Sequence, residues 1–500
     1  MAHSFFIGIG GTGAKCAEAL IHLCAAGLGP DRCSVMLVDQ DEPNGNGVRC
    51  HEMLRAYIDL RSRLAIAGER TENAGPALFR TEISIPGGTP LWCPTTEHGD
   101  TLGKIAGYDV LKEQQALTDC LFLPEERNQR LGEGFRAHPS VGAAVLLAKS
   151  ETETANAFWK NVFASIDEAR SGQEVRIFLL GSIFGGTGAA GFPTIARLIH
   201  RQVKEQAGTA VKIGGALMLP YFRFPPPQRE NSGELLPNSS IFLEQTQGAL
   251  RYYHRLLIEG KLFENVYLIG WDPLLRINAY SKGGAEQRNP ALVPELWAGL
   301  AALRFFAGAD TAPVVDFERS DSGQVTWRDL PRIHAADEDE VRENFGALIR
   351  FAHAFHGVYR PALGRERWRS ARHEAWFRRL LDRDGALLTQ SASQALLDDL
   401  DLYCQGLLLW AASISFGDTD DKTDVRLYDA SQFARPVSEG GFDRAALSDQ
   451  IDLRSFGHLI PGEEGPDLPL VFERLTYDRF GSRQAGVAPF VRALHQACCN

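Results

Sequence analysis

Short apolar runs alternate with amphipathic stretches through the first 300 residues of the chain. Phe5-Phe6-Ile7-Gly8-Ile9 has the continuous apolar character of a buried strand, and Gly10-Gly11-Thr12-Gly13 follows as a tight turn. Residues 14–26 predict a helix: Cys16, Leu20, Leu23 and Cys24 share one face, and Gly27 is a stop signal. Ser34-Val35-Met36-Leu37-Val38-Asp39 is a second buried strand ending in an acid. This strand-turn-helix-strand unit predicts the start of a parallel α/β sheet. The pattern fades over residues 43–130, which read as inserted loops and short helices. It returns as a helical stretch over 139–166, a strand over 175–181 and a second glycine turn. A helix over 189–205, a strand over 213–219, a helix over 242–259 and a strand over 265–270 complete the series. Strands without polar alternation belong to a sheet covered on both faces.

Residues 291–306 are apolar nearly all round, with Leu292, Leu296, Leu300 and Leu303 in one stripe, and predict a buried strut. Beyond it the character changes. Val325-Thr326-Trp327 reads as an edge strand, helices are expected over 340–359, 367–382 and 394–415, and the tail after Phe416 is loop-rich.

The 500 residues are enough for two or three domains, and a hydrophobic content of 44% with 23% charged residues fits a globular chain. The net charge of −11 argues against nucleic-acid binding through a whole-molecule field. No apolar run reaches the roughly 18–20 residues of a membrane span, and Met1-Ala2-His3-Ser4-Phe5 carries no signal-peptide pattern. Nine cysteines without a CxxC pair fit reduced thiols and a cytoplasmic location, and the vicinal Cys498-Cys499 lacks metal-site spacing.

Gly8-Ile9-Gly10-Gly11-Thr12-Gly13 is a GxGxxG between a strand and a helix. Its glycines admit close approach of a phosphate, and the helix start offers free N–H groups and the positive end of the dipole. Asp39 ends the next strand, where a dinucleotide site places its ribose-binding acid. The second turn, Gly185-Gly186-Thr187-Gly188, lies roughly 175 residues further on and again joins a buried strand to a helix. An ordinary dinucleotide fold needs one such turn. Two can face a single polyphosphate from neighbouring strand ends, with Thr187 donating its hydroxyl.

Taken together these segments resemble the tubulin/FtsZ superfamily, and specifically its divergent bacterial tubulin-like proteins. Gly185-Gly186-Thr187-Gly188-Ala189-Ala190-Gly191 is similar to the family's signature loop, and Gly10-Gly11-Thr12-Gly13 to its first phosphate loop. Asp39-Gln40-Asp41 stands at the second loop, and residues 132–142, with Gly134, Phe135 and Arg136, resemble the third, which closes on the γ-phosphate. Pro220-Tyr221-Phe222-Arg223-Phe224 resembles the turn before the ribose loop, where Arg229 can reach the sugar although Pro225-Pro226-Pro227 replaces the usual acid and glycine. Residues 289–306 resemble the central helix, with Asn289 at the purine edge.

The resemblance covers roughly residues 5–306 and implies an α/β fold. Its parallel-sheet, GTP-binding domain (1–290) would be joined by a central helix (291–306) to a helix-rich α+β domain (307–500). It implies GTP or GDP with Mg²⁺ as cofactors, self-assembly or partner recruitment under nucleotide control, and a slow GTPase completed between subunits. The nearest match to the family's catalytic loop is Val314-Val315-Asp316-Phe317-Glu318, which lacks the Asn but offers Asp316 and Glu318 as acids.

Two alternatives use the first turn alone. Asp39, Asp41, Asn46 and Arg49 after the glycines also resemble ThiF-like adenylating enzymes, and GxGxxG suits an NAD-binding Rossmann protein. Neither explains the second turn. Residues 359–383 hold eight arginines among three acids, with Trp368 and Trp376 interleaved. That segment reads either as a solvated helix face or as a grip for an acidic partner or polyanion, the acids Asp418, Asp420, Asp421 and Asp424 being one such partner on another subunit. No HxxxH, HExxH or GxSxG occurs.

Overall fold

The computed structural model describes residues 3–64, 77–95, 99–110, 112–135, 138–149, 153–170, 173–204, 210–224, 242–255, 261–277, 283–319, 323–334, 339–364, 367–381, 386–415, 424–429, 456–462, 464–478 and 485–499. In chain order its strands are β1 (His3–Ile9), β2 (Arg32–Val38), β3 (Glu82–Ser84), β4 (Leu91–Trp92), β5 (Val175–Ser182) and β6 (Val211–Met218). They continue as β7 (Phe222–Arg223), β8 (Asn265–Trp271), β9 (Leu275–Arg276), β10 (Val314–Arg319), β11 (Gln324–Val325) and β12 (Asp424–Val425). The longer helices are α1 (Gly10–Ala25), α2 (Gly45–Arg63), α3 (Pro139–Lys149), α4 (Glu153–Arg170), α5 (Gly186–Ile199), α6 (Phe242–Tyr253), α7 (Val293–Ala307), α8 (Glu340–Ala354), α9 (Ser391–Ser415), α10 (Leu468–Tyr477) and α11 (Val487–Ala497).

Eight strands form one sheet in the order β10-β8-β6-β5-β1-β2-β3, with β4 also paired to β2. Every pairing is parallel. Ile7 lies level with Met36 on one side and Leu179 on the other. The order reverses between β1 and β5. The chain moves outward one way through α1 to β2, and the other way through α5 to β6. Right-handed crossovers in opposite directions put the two helices on opposite faces. The predicted parallel α/β fold is therefore the observed one.

β1 and α1 are buried almost throughout because both sheet faces are covered. α7 lies on the face of α1, packed so closely that a Cβ at Gly299 would meet Leu23 at 2.9 Å. α3 lies on the other face against α5. The main core cluster runs from Phe5 to Cys498, so the helical C-terminal region shares it, and a smaller cluster gathers Leu102, Leu131, Phe135, Val141 and Val145. α9 is the bridge: Tyr403 and Trp410 enclose His22 of α1, and Gly406 faces Met53 of α2.

Some elements differ from the pattern-based expectation. Residues 45–63, inside the stretch read as inserted loops and short helices, form one 19-residue helix, α2. Its apolar residues are sparse because its polar side chains are buried by partners rather than by solvent exclusion alone. The long helical stretch over 139–166 is two helices, α3 and α4. The helix expected over 367–382 is broken into Trp368–Ala371 and Ala375–Leu380, with Trp368 and Trp376 turned inward. Arg360 of that segment pairs with Asp398, and Arg367, Arg369, Arg372 and Arg378 are exposed. Arg365, Arg383, Asp418, Asp420 and Asp421 lie outside the described residues. Beyond β10 the described strands are the two-residue pair β11–β12, so this region is helical. No helix among the described residues is long and apolar enough to cross a membrane.

Candidate functional site

The ends of β1, β2 and β5 meet where the strand order reverses, the position at which open α/β sheets form a crevice. Gly10 follows β1 with φ +74°, a backbone shape that disfavours side chains, and its Cβ position lies 3.2 Å from the Gly188 nitrogen. At Gly13 an added Cβ would come within 2.6 Å of the Gly8 carbonyl carbon. The glycines thus draw the start of α1 onto β1 and the two turns onto each other. α1 and α5 both begin at this point, aiming two sets of free helix N–H groups at one space.

Asp39, just after β2, is buried, and the Thr187 hydroxyl donates to its Oδ1 at 3.1 Å. This contact ties the second turn to the end of β2. Burial and the neighbouring Asp41 carboxylate raise the Asp39 pKa to about 7. The Asp41 carboxylate accepts from Asn44 Nδ2 at 3.2 Å and from the Gly284 backbone at 2.7 Å. Gln40 is buried but turned away, its amide donating to the Thr95 carbonyl at 2.9 Å. Gly134 has φ +77° and faces the Asp41 side chain, with an added Cβ 3.5 Å from Asp41 Cβ. Phe135 is buried against Gly142 of α3, which also approaches the Gly186 carbonyl. The expected third loop therefore lies beside both the second loop and the second glycine turn.

Asn289 reaches the site through α2. Its backbone N–H donates to Asn46 Oδ1 at 2.9 Å, and its carbonyl accepts from Arg49 Nη1 at 3.0 Å. Gly11 faces the Asn44 and Asn46 amides. The first turn of α2 thus joins the first glycine turn to Asn289, whose carboxamide makes no hydrogen bond among the described residues. Arg136 and Arg229 lie outside the described residues.

Asp316 and Glu318 are not in a loop. They occupy β10, where Val315 and Phe317 pack against the core and the two acids alternate outward into solvent. β10 is four strands from β1, about 19 Å at the usual spacing of ~4.8 Å. The structure does not bring them to the glycine turns.

Several residues of this region carried no sequence signal. Lys15 of α1 and Glu295 of α7 form a buried ion pair. Glu295 also accepts from the Tyr221 hydroxyl at 2.8 Å and from the Leu292 backbone at 3.0 Å. Arg49 is held by Glu18 of α1, its Nε 2.9 Å from Oε2, instead of projecting toward a ligand as an adenylating enzyme would require. Asn44 was legible in principle, since a side chain accepting from the second residue onward is an ordinary N-cap.

Comparison with known proteins adds a sequence match to this geometry. The family described as "Tubulin like" matches residues 124–246, the segment from the third loop through β5, the second glycine turn and β6. No curated protein matches. Among solved structures, CetZ from Methanosaeta thermophila strain DSM 6194 is similar at 12% identity and a TM-score of 0.27, over 62% of this chain and 54% of that one. The chain thus spans about half the length of that structure, and at this score the fold rests on the sheet itself. Residues 124–246 are thus tubulin-like in sequence, and they supply the second glycine turn of a crevice whose first turn is Gly10-Gly11-Thr12-Gly13.

Proposed function

We propose that the crevice binds a guanine nucleotide and that its occupancy controls self-assembly or recruitment of a protein partner. The observation that carries this reading is the contact of the two glycine turns, Gly10 against Thr187 and Gly188, at the reversal of strand order. One turn would cradle the α- and β-phosphates and the other the β- and γ-phosphates, each with helix N–H groups. Gly134 and Phe135 stand where the terminal phosphate would be met. Asn289, with its carboxamide open, is the residue we assign to the base, on the strength of the family resemblance.

Asp39, Asp41 and the Thr187 hydroxyl are hard oxygen donors gathered beside the turns. They fit Mg²⁺ arriving with phosphate oxygens, the way this ion is usually held. The bound ion would supply charge neutralisation for the phosphates. The chain's own part is to hold two buried carboxylates close together and to position the Thr187 hydroxyl.

Hydrolysis in this reading is slow. Asp316 and Glu318 lie on an edge strand away from the turns, so either acid could act only on a second copy's nucleotide. An adenylating or NAD-dependent reading uses the first turn alone and leaves the contact with Gly185–Gly188 without a purpose.

The test is the identity and turnover of nucleotide in one sample. Denatured protein should release GTP or GDP on ion exchange, and a Gly186→Trp variant should release none. GTP hydrolysis should be slow, and a rise steeper than linear with protein concentration marks a site shared between subunits. Release of ATP or NAD, or retention by the variant, overturns the reading.

A further inference from the structure

The opposite end of the sheet holds a second cavity, of about 320 Å³. β1 runs from this cavity at His3 to the glycine turn at Gly10, so the two sites share a strand but not a residue. The starts of three adjacent strands line it, with His3 from β1, Arg32 and Ser34 from β2, and Glu82 and Ser84 from β3. The last turns of α4 close it, with Ser165 and Glu168.

The lining is polar and ordered. The Ser84 and Ser34 hydroxyls are 2.9 Å apart, and Ser34 Oγ is 3.0 Å from His3 Nε2. Ser34 is buried at 1% exposure, so this chain of three groups is anchored at its centre. His3 stacks on Phe5 with ring centroids 4.6 Å apart, which fixes its plane. Burial and the nearby Arg32 lower the His3 pKa, which favours the neutral imidazole, a ring with one acceptor nitrogen.

Among the described lining residues the charges sum to one sign. Arg32 is matched by Glu82, its Nε 3.2 Å from Oε2. Glu168 is then the excess charge. The C-terminal end of the 18-residue helix α4 adds the negative pole of its dipole and its terminal carbonyls. A carboxylate, hydroxyl and imidazole acceptors and a helix C-terminus together select a cation with several N–H donors. Among the described residues no group of three or more His, Cys, Asp or Glu is placed to hold a metal ion. The volume also lies at the low end of small-molecule sites, roughly 300–1,000 Å³.

We propose that this cavity is a binding site for a small organic cation bearing primary ammonium groups, of the diamine or polyamine class. One ammonium group sits between Glu168 and the end of α4, and the Ser84–Ser34–His3 chain accepts from the rest of the ligand. The site is independent of nucleotide at the other end of the sheet.

Isothermal titration of the full chain with putrescine and with spermidine, in 150 mM NaCl (~8 Å Debye length), tests this. A protein of net charge −11 also attracts polyamines diffusely, so the comparison is between two variants that lose the same charge. Glu168→Gln removes the carboxylate of the cavity, and Glu113→Gln removes an exposed one elsewhere. The expected result is one saturable site per chain for at least one of the amines, unchanged in Glu113→Gln and weakened roughly tenfold in Glu168→Gln. Ser34→Ala, which breaks the chain at its centre, should weaken it as well. Absence of saturable binding to both amines, or equal affinity in the two glutamate variants, overturns the proposal. Both glutamates are exposed, so neither variant threatens folding.

Discussion

At the residue scale, Asp39 and Thr187 join the end of β2 to the second glycine turn. The Asp39 carboxyl has its pKa raised from 3.8 to about 7 by burial and by Asp41. The folded protein without nucleotide therefore holds this proton more tightly than the unfolded chain. The stability it contributes is complete below pH 3.8 and is lost as pH rises through 7. Asp39→Asn should flatten the fall in stability of the nucleotide-free protein between about pH 4 and 7, measured as the urea midpoint across that range. An undiminished fall in the variant would place its cause elsewhere. Thr187→Val keeps the shape of the side chain and removes the hydroxyl. It should weaken Mg²⁺-nucleotide binding by about 1.5–3 kcal/mol, the worth of a hydrogen bond to a charged group, while Asp316→Ala leaves binding unchanged. Fluorescent-nucleotide titration of both variants checks the contrast.

At the element scale, α1 is the part through which the phosphate turns touch the rest of the molecule. Its Lys15 pairs with Glu295 of α7, and its Glu18 with Arg49 of α2, all four side chains being buried or nearly so. Removing one partner of a buried pair leaves an uncompensated charge at a cost of about 3–5 kcal/mol, whereas removing both costs far less. Glu295→Leu alone should be strongly destabilised, and Lys15→Met with Glu295→Leu should recover most of the loss in chemical denaturation. Additive losses would show that the two charges do not act as a pair. The strands and glycine turns were legible because apolar runs and glycines are local signals. α2 and the Lys15–Glu295 and Glu18–Arg49 pairs were not, because their polar residues are buried by partners distant in sequence. The 314–318 segment differs from the expected loop for a related reason. Its acids resemble a catalytic loop in composition, yet Val315 and Phe317 alternate with them and make it a strand.

At the scale of the whole molecule, the C-terminal helices and the sheet share one core, and buried histidines mark the shared core. His22 lies between Tyr403 and Trp410, His353 bonds to Tyr428, and His495 packs on Phe351. Burial lowers the pKa of His22 and His353 to about 3 and of His495 to about 4. Their neutral forms stabilise the fold fully above the ordinary value of 6.5, and this contribution is lost as pH falls from there toward 4 and 3. Acid should therefore unfold sheet and helical region in one transition, read by far-UV and tryptophan signals together. Two separated transitions would mean that the regions do not share a core.

The central claim is that two glycine turns form one polyphosphate site. It is tested most directly by titrating nucleotide-free protein with labelled GTP in parallel with variants carrying one blocked turn, Gly10→Val or Gly186→Trp. Each block alone should abolish binding while circular dichroism shows the fold retained. Binding that survives the block at Gly186 but not at Gly10 would contradict it and assign the nucleotide to the first turn alone.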